Sequence, residues 1–313
     1  AEASAARLKS WGFNTTGAWS THELTLPWIA ATPILYIAGY DWLDGDRSDW
    51  FDPAWPASVE AKAAELAMQA DEPGILGWFL DNEISWGPDW RGLDTLLQAY
   101  LALGAAAPGK AVAVDFLLES LGEPDAVNAA LGTSFADREA MLAAVETWDT
   151  LDQGSSDIEG ELTSAFLAMA AEHYFATVTD AIRSHDPNHL ILGNREVSVL
   201  TRLEVYQAAA RHVDVISINN YTFMDGIGEG CLDLSGGLDP ADGFSALAAE
   251  VDLPMLISEF GFRAADTGLP NSWPFFYPTY ETQEDRADAF EAYARLHQGK
   301  PWVVGYHWFE WVD

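Results

Sequence analysis

Lysine is almost missing from this chain: Lys9, Lys62, Lys110 and Lys300 are the only four in 313 residues. In all, 15 basic side chains stand against 49 acidic ones, a net charge of −34. Phosphate binding needs clustered Lys and Arg, so nucleic acid is excluded as a partner, and an anionic membrane surface with it. No apolar run reaches the roughly 20 residues that span a bilayer. Cys231 is the only cysteine, which rules out an internal disulfide framework and leaves the redox compartment open. The histidines His22, His173, His185, His189, His212, His297 and His307 show no ligand spacing, so neither a metal nor another cofactor is expected. A signal peptide is also lacking. Residue 1 already borders the helical pattern Ala5-Ala6-Arg7-Leu8-Lys9, so any leader lies outside this sequence; a secreted or periplasmic location is favoured.

What is present is apolar and acidic. Hydrophobic residues make up 49% of the chain, ample for the core of one large domain. The acids are spread along the chain, as on a solvated surface suited to high salt, where self-repulsion is screened. Attraction of a cationic substrate is the alternative reading. Fourteen tryptophans is a high count. Trp11, Trp28 and Trp302 are expected in the core.

Taken in order, residues 2–10 pattern as a helix, 13–20 as a strand, 21–31 as a helix and 33–38 as a strand. An acidic loop follows (Asp41, Asp44, Asp46, Asp49) whose spacing does not fit a calcium loop. A helix over 52–70 leads to the apolar run Ile75–Leu80, which closes on Asp81-Asn82-Glu83. Strand–helix alternation then stops. Helices are expected over 91–105, 109–121, 124–131 and 136–147, with a loop at Gly154-Ser155-Ser156-Asp157. This block, 88–160, reads as a helical insertion within a single domain spanning 1–313. Alternation resumes with a helix over 161–185, strands at 189–194, 213–219, 254–259 and 302–308, and helices at 201–211, 241–250 and 282–298. The glycine-rich segment with Gly226, Gly228 and Gly230 lacks the lysine of a phosphate loop. Another long loop, 260–280, carries Trp273, Phe275, Phe276, Tyr277 and Tyr280.

Seven strands, nearly all followed by helices, imply a parallel α/β fold, and their polar carboxyl ends favour a (β/α)8 TIM-type barrel. An eightfold barrel needs a strand before residue 1 and a helix after residue 313; this sequence is expected to lack both.

Two of those strand ends carry glutamate: Asp81-Asn82-Glu83 and Ser258-Glu259-Phe260. Far apart in sequence, they can face each other across a barrel mouth. Paired carboxylates are what glycoside hydrolysis requires, one to donate a proton and one to attack the anomeric carbon or activate water. The negative charge of one raises the pKa of the other. Tyr221, after the preceding strand, is placed to hold a carboxylate, and Trp308 to floor a sugar site.

These pieces resemble clan A glycoside hydrolases, in which acid/base and nucleophile glutamates end strands four and seven. Gly12-Phe13-Asn14-Thr15, Gly77-Trp78-Phe79-Leu80-Asp81-Asn82-Glu83 and Gly305-Tyr306-His307-Trp308-Phe309 are similar to family 50 β-agarases. Asp125 to Phe135 resembles a segment of family 42 β-galactosidases. The resemblance implies Glu83 as acid/base and Glu259 as nucleophile. It also implies Asn82 on the sugar 2-hydroxyl, Tyr221 orienting Glu259 and Trp308 beneath the sugar, with Trp19, Arg195 and Glu310 as further substrate contacts. The loop Gly261-Phe262-Arg263-Ala264-Ala265-Asp266 departs from the histidine-bearing loop of family 50. The expectation is therefore a retaining glycosidase acting on a β-linked galactan-type or related oligosaccharide or polysaccharide. The rivals are a non-catalytic carbohydrate-binding barrel and a structural barrel whose glutamates are ordinary acids.

Overall fold

Glycine at position 77 lets two strands meet edge to edge, because a Cβ there would stand 2.5 Å from the Leu190 carbonyl oxygen. That contact belongs to a computed structural model that describes residues 2–20, 28–144, 158–198, 200–221, 243–269 and 278–310. His22, the loops at 154–157 and 226–230, Cys231 and the aromatics from Trp273 to Tyr277 fall outside the described residues.

The strands are β1 (Thr15–Thr16), β2 (Ala30–Ala31), β3 (Gly77–Trp78), β4 (Leu190–Ile191), β5 (Arg195–Val197), β6 (Ile216–Asn219), β7 (Met255–Phe260), β8 (Arg263–Ala264), β9 (Thr279–Tyr280) and β10 (Val303–Trp308). The α-helices are α1 (Glu2–Ser10), α2 (Trp55–Ala63), α3 (Leu96–Leu101), α4 (Pro108–Leu121), α5 (Pro124–Leu131), α6 (Arg138–Ala143), α7 (Ile158–His185), α8 (Leu203–Ala209), α9 (Gly243–Val251) and α10 (Gln283–Gln298). The chain forms two compact units. One holds Ala1–Tyr36, Met68–Glu83 and Asp186–Asp313, and the other Ile37–Ala67 and Ile84–His185.

The first unit is an α/β fold of parallel strands. β1 pairs with β2, and bridges Ala31–Ile75 and Ile34–Phe79 continue to β3. β3 pairs with β4, the bridge Asn82–Arg195 leads to β5, and β5, β6, β7 and β10 follow as one sheet. Ala18, Phe79, Leu192, Val215 and Leu256 pack as a cluster on one side of these strands. On the other side Ile257, Phe260, Phe262, Ala289 and Tyr293 pack together, with Trp308 and Tyr306 against them. α10 starts where the sequence signals it: Thr282 and Asp285 form a reciprocal capping box. The expected helix at 21–31 is corrected at its end, since Ala30–Ala31 is strand, paired to β1. Trp11 is also not core; it is 60% exposed. The loop over 260–280 carries the short parallel pair β8–β9.

The second unit holds α2 to α7, including the four helices expected between 91 and 147. α5 runs from Pro124, whose missing N–H costs nothing in a first turn, to Gly132 at φ 65°, a left-handed cap that glycine adopts freely. Trp50 packs against Trp55, Trp86 and Tyr174 at the centre of this unit. No described helix is long and apolar enough to cross a membrane.

A buried carboxylate ties β3 to the segment before β4. Asp186 accepts from Trp78 Nε1 at 2.6 Å, and its partner His189 Nδ1 lies at 2.7 Å. Burial alone would raise this carboxyl, but the Trp78 and His189 side chains and the backbone N–H groups of His189 and Asn188 outweigh it and hold it below the ordinary range. A depressed carboxylate stabilises the fold above its unfolded pKa, and that contribution is lost as pH falls through the folded value. Asp186→Ala is expected to cost about 3–5 kcal/mol at pH 7, by analogy with broken buried pairs. The deficit should shrink in acid, and urea unfolding at pH 7 and pH 3 measures both.

Candidate active site

Glu259 owes its orientation to an irregularity in β7. Ile218 pairs with Ile257, but Asn219, one residue on, pairs with Glu259, two residues on. On the other side Tyr306 pairs with Ile257 and Trp308 with Phe260, which again leaves one extra residue in β7. This is a β-bulge at Ser258–Glu259. In a regular strand Ser258 and Glu259 would face opposite ways. The bulge brings both toward Asn219: Ser258 Oγ donates to Asn219 Oδ1 at 2.8 Å, and Asn219 Nδ2 lies 3.4 Å from Glu259 Oε2.

Glu83 arrives from the other side of β5. Its N–H donates to the Arg195 carbonyl at 3.0 Å. Its φ of 48° lies in the left-handed region, a conformation that costs a side-chain-bearing residue on the order of 1 kcal/mol. Glu83 Oε1 accepts from Asn219 Nδ2 at 2.9 Å. One amide group therefore touches both carboxylates, and the two glutamates are brought together.

Arg195 ties the rest. Its Nη1 donates to Asn82 Oδ1 at 2.9 Å, and its Nη2 to Glu259 Oε2 at 2.7 Å and to the Ser258 carbonyl at 2.8 Å. Because Asn82 Oδ1 also faces Asn219 Nδ2 at 3.3 Å, the donor end of the Asn82 amide is turned away from these groups. Tyr221 Oη donates to Glu259 Oε1 at 2.5 Å. Burial pushes the Glu259 carboxyl up. Arg195 and Tyr221 pull it down without cancelling the rise, and the charge of Glu83 adds to it. The field of one carboxylate on its neighbour thus acts in the sense expected for a pair.

Trp19 is 46% exposed, lies over the Arg195 guanidinium at 4.2 Å and donates from Nε1 to Tyr36 Oη at 2.6 Å. Phe309 meets the Trp19 ring edge-on at 5.6 Å. Gly261 is needed here, since a Cβ would collide with the Phe309 carbonyl oxygen.

One expected residue lies elsewhere. Trp308 does not join the carboxylates; its ring packs on Phe260 at 5.4 Å and on Phe290 of α10 at 5.4 Å. Strand alternation explains this, because its neighbour His307 takes the inward position. The His307 ring faces Thr15 Oγ1 at 3.4 Å, and burial, with the nearby Arg195 charge, lowers its pKa to about 4. Glu310 is exposed, and its carbonyl accepts from Trp308 Nε1 at 3.1 Å. Asn219, Ser258, His307 and Phe309 were not singled out by sequence. For Asn219 a signal existed: Asn219-Asn220-Tyr221 is a polar strand end like Asp81-Asn82-Glu83. Among the described residues no group of His, Cys, Asp and Glu side chains is arranged to hold a metal ion.

Parallel α/β topology with two buried, donor-clamped glutamates at the ends of separate strands resembles the make-up of clan A glycoside hydrolases. Comparison with known proteins points the same way. The chain is 32% identical to β-agarase A and 28% identical to β-agarase B of Vibrio sp. (strain JT0107), over 98% of its own length in each case. It spans 31% of the length of both relatives. Among solved structures, an agarase superposes with a TM-score of 0.79 at 26% identity, covering 100% of this chain and 43% of the other. A β-galactosidase from the haloarchaeon Halorubrum lacusprofundi shares the fold alone, with a TM-score of 0.52 at 15% identity over 90% of this chain and 43% of the other. No family model matches the chain. The resemblance to β-agarases read from the motifs thus extends over nearly the whole sequence.

Proposed function

We propose that the protein is a retaining glycoside hydrolase that cleaves β-linked galactan-type saccharides by double displacement. In this reading residues 1–313 act as one catalytic domain on a (β/α)8 barrel plan, with 88–160 inserted in it. Glu259 attacks the anomeric carbon while Glu83 gives its proton to the departing glycosidic oxygen. Glu83 then takes a proton from water, which releases the sugar from Glu259. Asn82 offers its amide donor to the 2-hydroxyl, Tyr221 and Arg195 hold Glu259, and Trp19 presents an indole to the sugar. Glu310, exposed after β10, is a further candidate substrate contact. Export to the periplasm or medium suits a polymeric substrate.

The observation that carries this reading is the shared donor between the carboxylates. Asn219 Nδ2 lies 2.9 Å from Glu83 Oε1 and 3.4 Å from Glu259 Oε2. Those two oxygens are no farther apart than the two distances added, a bound on one oxygen pair that supports the close carboxylate pair of retaining enzymes. Arg195, Tyr221 and Asn219 all donate toward Glu259, which favours its charged form against the burial that raises its pKa. The test is digestion of agar, porphyran, galactan and β-galactosides, with proton NMR of the first-formed sugar. Release of the β-anomer is expected. First release of the α-anomer would overturn the double displacement, and failure to cleave any of them would overturn the hydrolase reading.

A further inference from the structure

We propose that Asn219 is a positioning residue that directs the acid/base proton to one oxygen of Glu83 and separates the two negative charges. This deepens the hydrolase reading and rests on it. Ser258 Oγ donates to Asn219 Oδ1 at 2.8 Å, which fixes the amide with its nitrogen toward the carboxylates. Reversed, the amide would set an oxygen against two carboxylates. The nitrogen has two hydrogens and three acceptors around it: Glu83 Oε1 at 2.9 Å, Asn82 Oδ1 at 3.3 Å and Glu259 Oε2 at 3.4 Å.

With Oε1 of Glu83 occupied by an N–H, the proton of the neutral acid sits on Oε2. That oxygen is then the one that hands the proton to the leaving group and later takes one from water. The same N–H lies between two like charges in a water-poor site, where a single dipole has a large effect. The other charged and titratable groups around the pair are Arg195 from β5, Tyr221 beyond β6 and His307 from β10, which faces Arg195. Asn220, next in sequence, faces away and donates to Tyr293 Oη at 2.9 Å.

The test is a carbon-13 carboxyl titration of wild type, Asn219→Ala, Ser258→Ala and the double variant. The Glu83 and Glu259 signals are assigned by Glu→Gln changes, and pH profiles of kcat/KM are recorded alongside. Loss of a hydrogen bond to a charged group moves a titration by about one pH unit. In Asn219→Ala both titration midpoints, and both limbs of the profile, are expected to move up by about that much, with kcat down about 10- to 100-fold. Ser258→Ala should move them less in the same direction, and the double variant no further than Asn219→Ala, because Ser258 acts through Asn219. Unmoved midpoints in Asn219→Ala, or fully additive effects of the two changes, would overturn the proposal. Should Asn219→Ala fail to fold, Ser258→Ala decides: moved midpoints support the role and unmoved ones remove it. A wild type inactive on every β-glycoside would sink the hydrolase reading, while the carboxyl titration still judges Asn219.

Discussion

Glu259→Ala is expected to lower kcat on a nitrophenyl β-galactoside by on the order of 10⁴–10⁶, the scale of losing a nucleophile that acts in concert with its partners. Glu83→Ala should behave differently. Its loss, about 10²–10⁴ for an alkoxide leaving group, should largely vanish in the first step with a dinitrophenyl glycoside, which departs without a proton. Pre-steady-state kinetics on the two substrates would show a burst of the phenol in Glu83→Ala and none in Glu259→Ala. The asymmetry follows from the surroundings. Glu259 is clamped by Arg195 and Tyr221 on separate oxygens, as an attacking group must be held, and Glu83 accepts the Asn219 amide on Oε1. Equal losses on both substrates for both variants would contradict the assigned roles.

Arg195→Met is the second large effect, on stability as well as rate. The guanidinium is buried and donates to Asn82, Ser258 and Glu259. Removing it leaves a buried carboxylate without its counter-charge, a change that costs about 3–5 kcal/mol. The pH dependence gives a sharper check. Glu259 is already pushed up by burial, and Arg195 is the strongest influence holding it down. Without Arg195 its folded pKa climbs further. A carboxyl raised in the folded state weakens the fold as pH rises from the unfolded value toward the folded one, so the deficit should be largest at pH 7 and fall toward about pH 4, where both states are protonated. Urea midpoints that differ from wild type equally at both pH values would mean that the buried charge is not the cause.

Helix and strand positions were legible because their punctuation is chemical. Pro124 and Gly132 bracket α5, and Thr282 with Asp285 opens α10. Apolar runs ending in Asn-Glu or Ser-Glu marked the strands that carry the glutamates. What the sequence could not show was which side of a strand each terminal residue faces. A shift of one residue reverses the answer. Trp308 looked like a sugar platform, yet His307 holds the inward position and Trp308 packs on the α10 side. Asn220 and Asn219 divide in the same way, one toward Tyr293 and one toward the carboxylates. For Ser258 and Glu259 the alternation rule itself gives the wrong parity, because the bulge is a property of the neighbouring registers and not of the local residues.

That surplus residue in β7 has an evolutionary corollary. Point substitutions around Glu259 would tune or damage the reaction gradually. A single-codon deletion at Ser258 would do something else: restore regular pairing with both neighbours, leave the carboxylate on the inward side because Ile257 and Phe260 face α10, and take away the hydroxyl that sets the Asn219 amide. The surplus residue thus adds one polar group to the inward face while the glutamate keeps its place, a gain that substitution at either position alone would not bring.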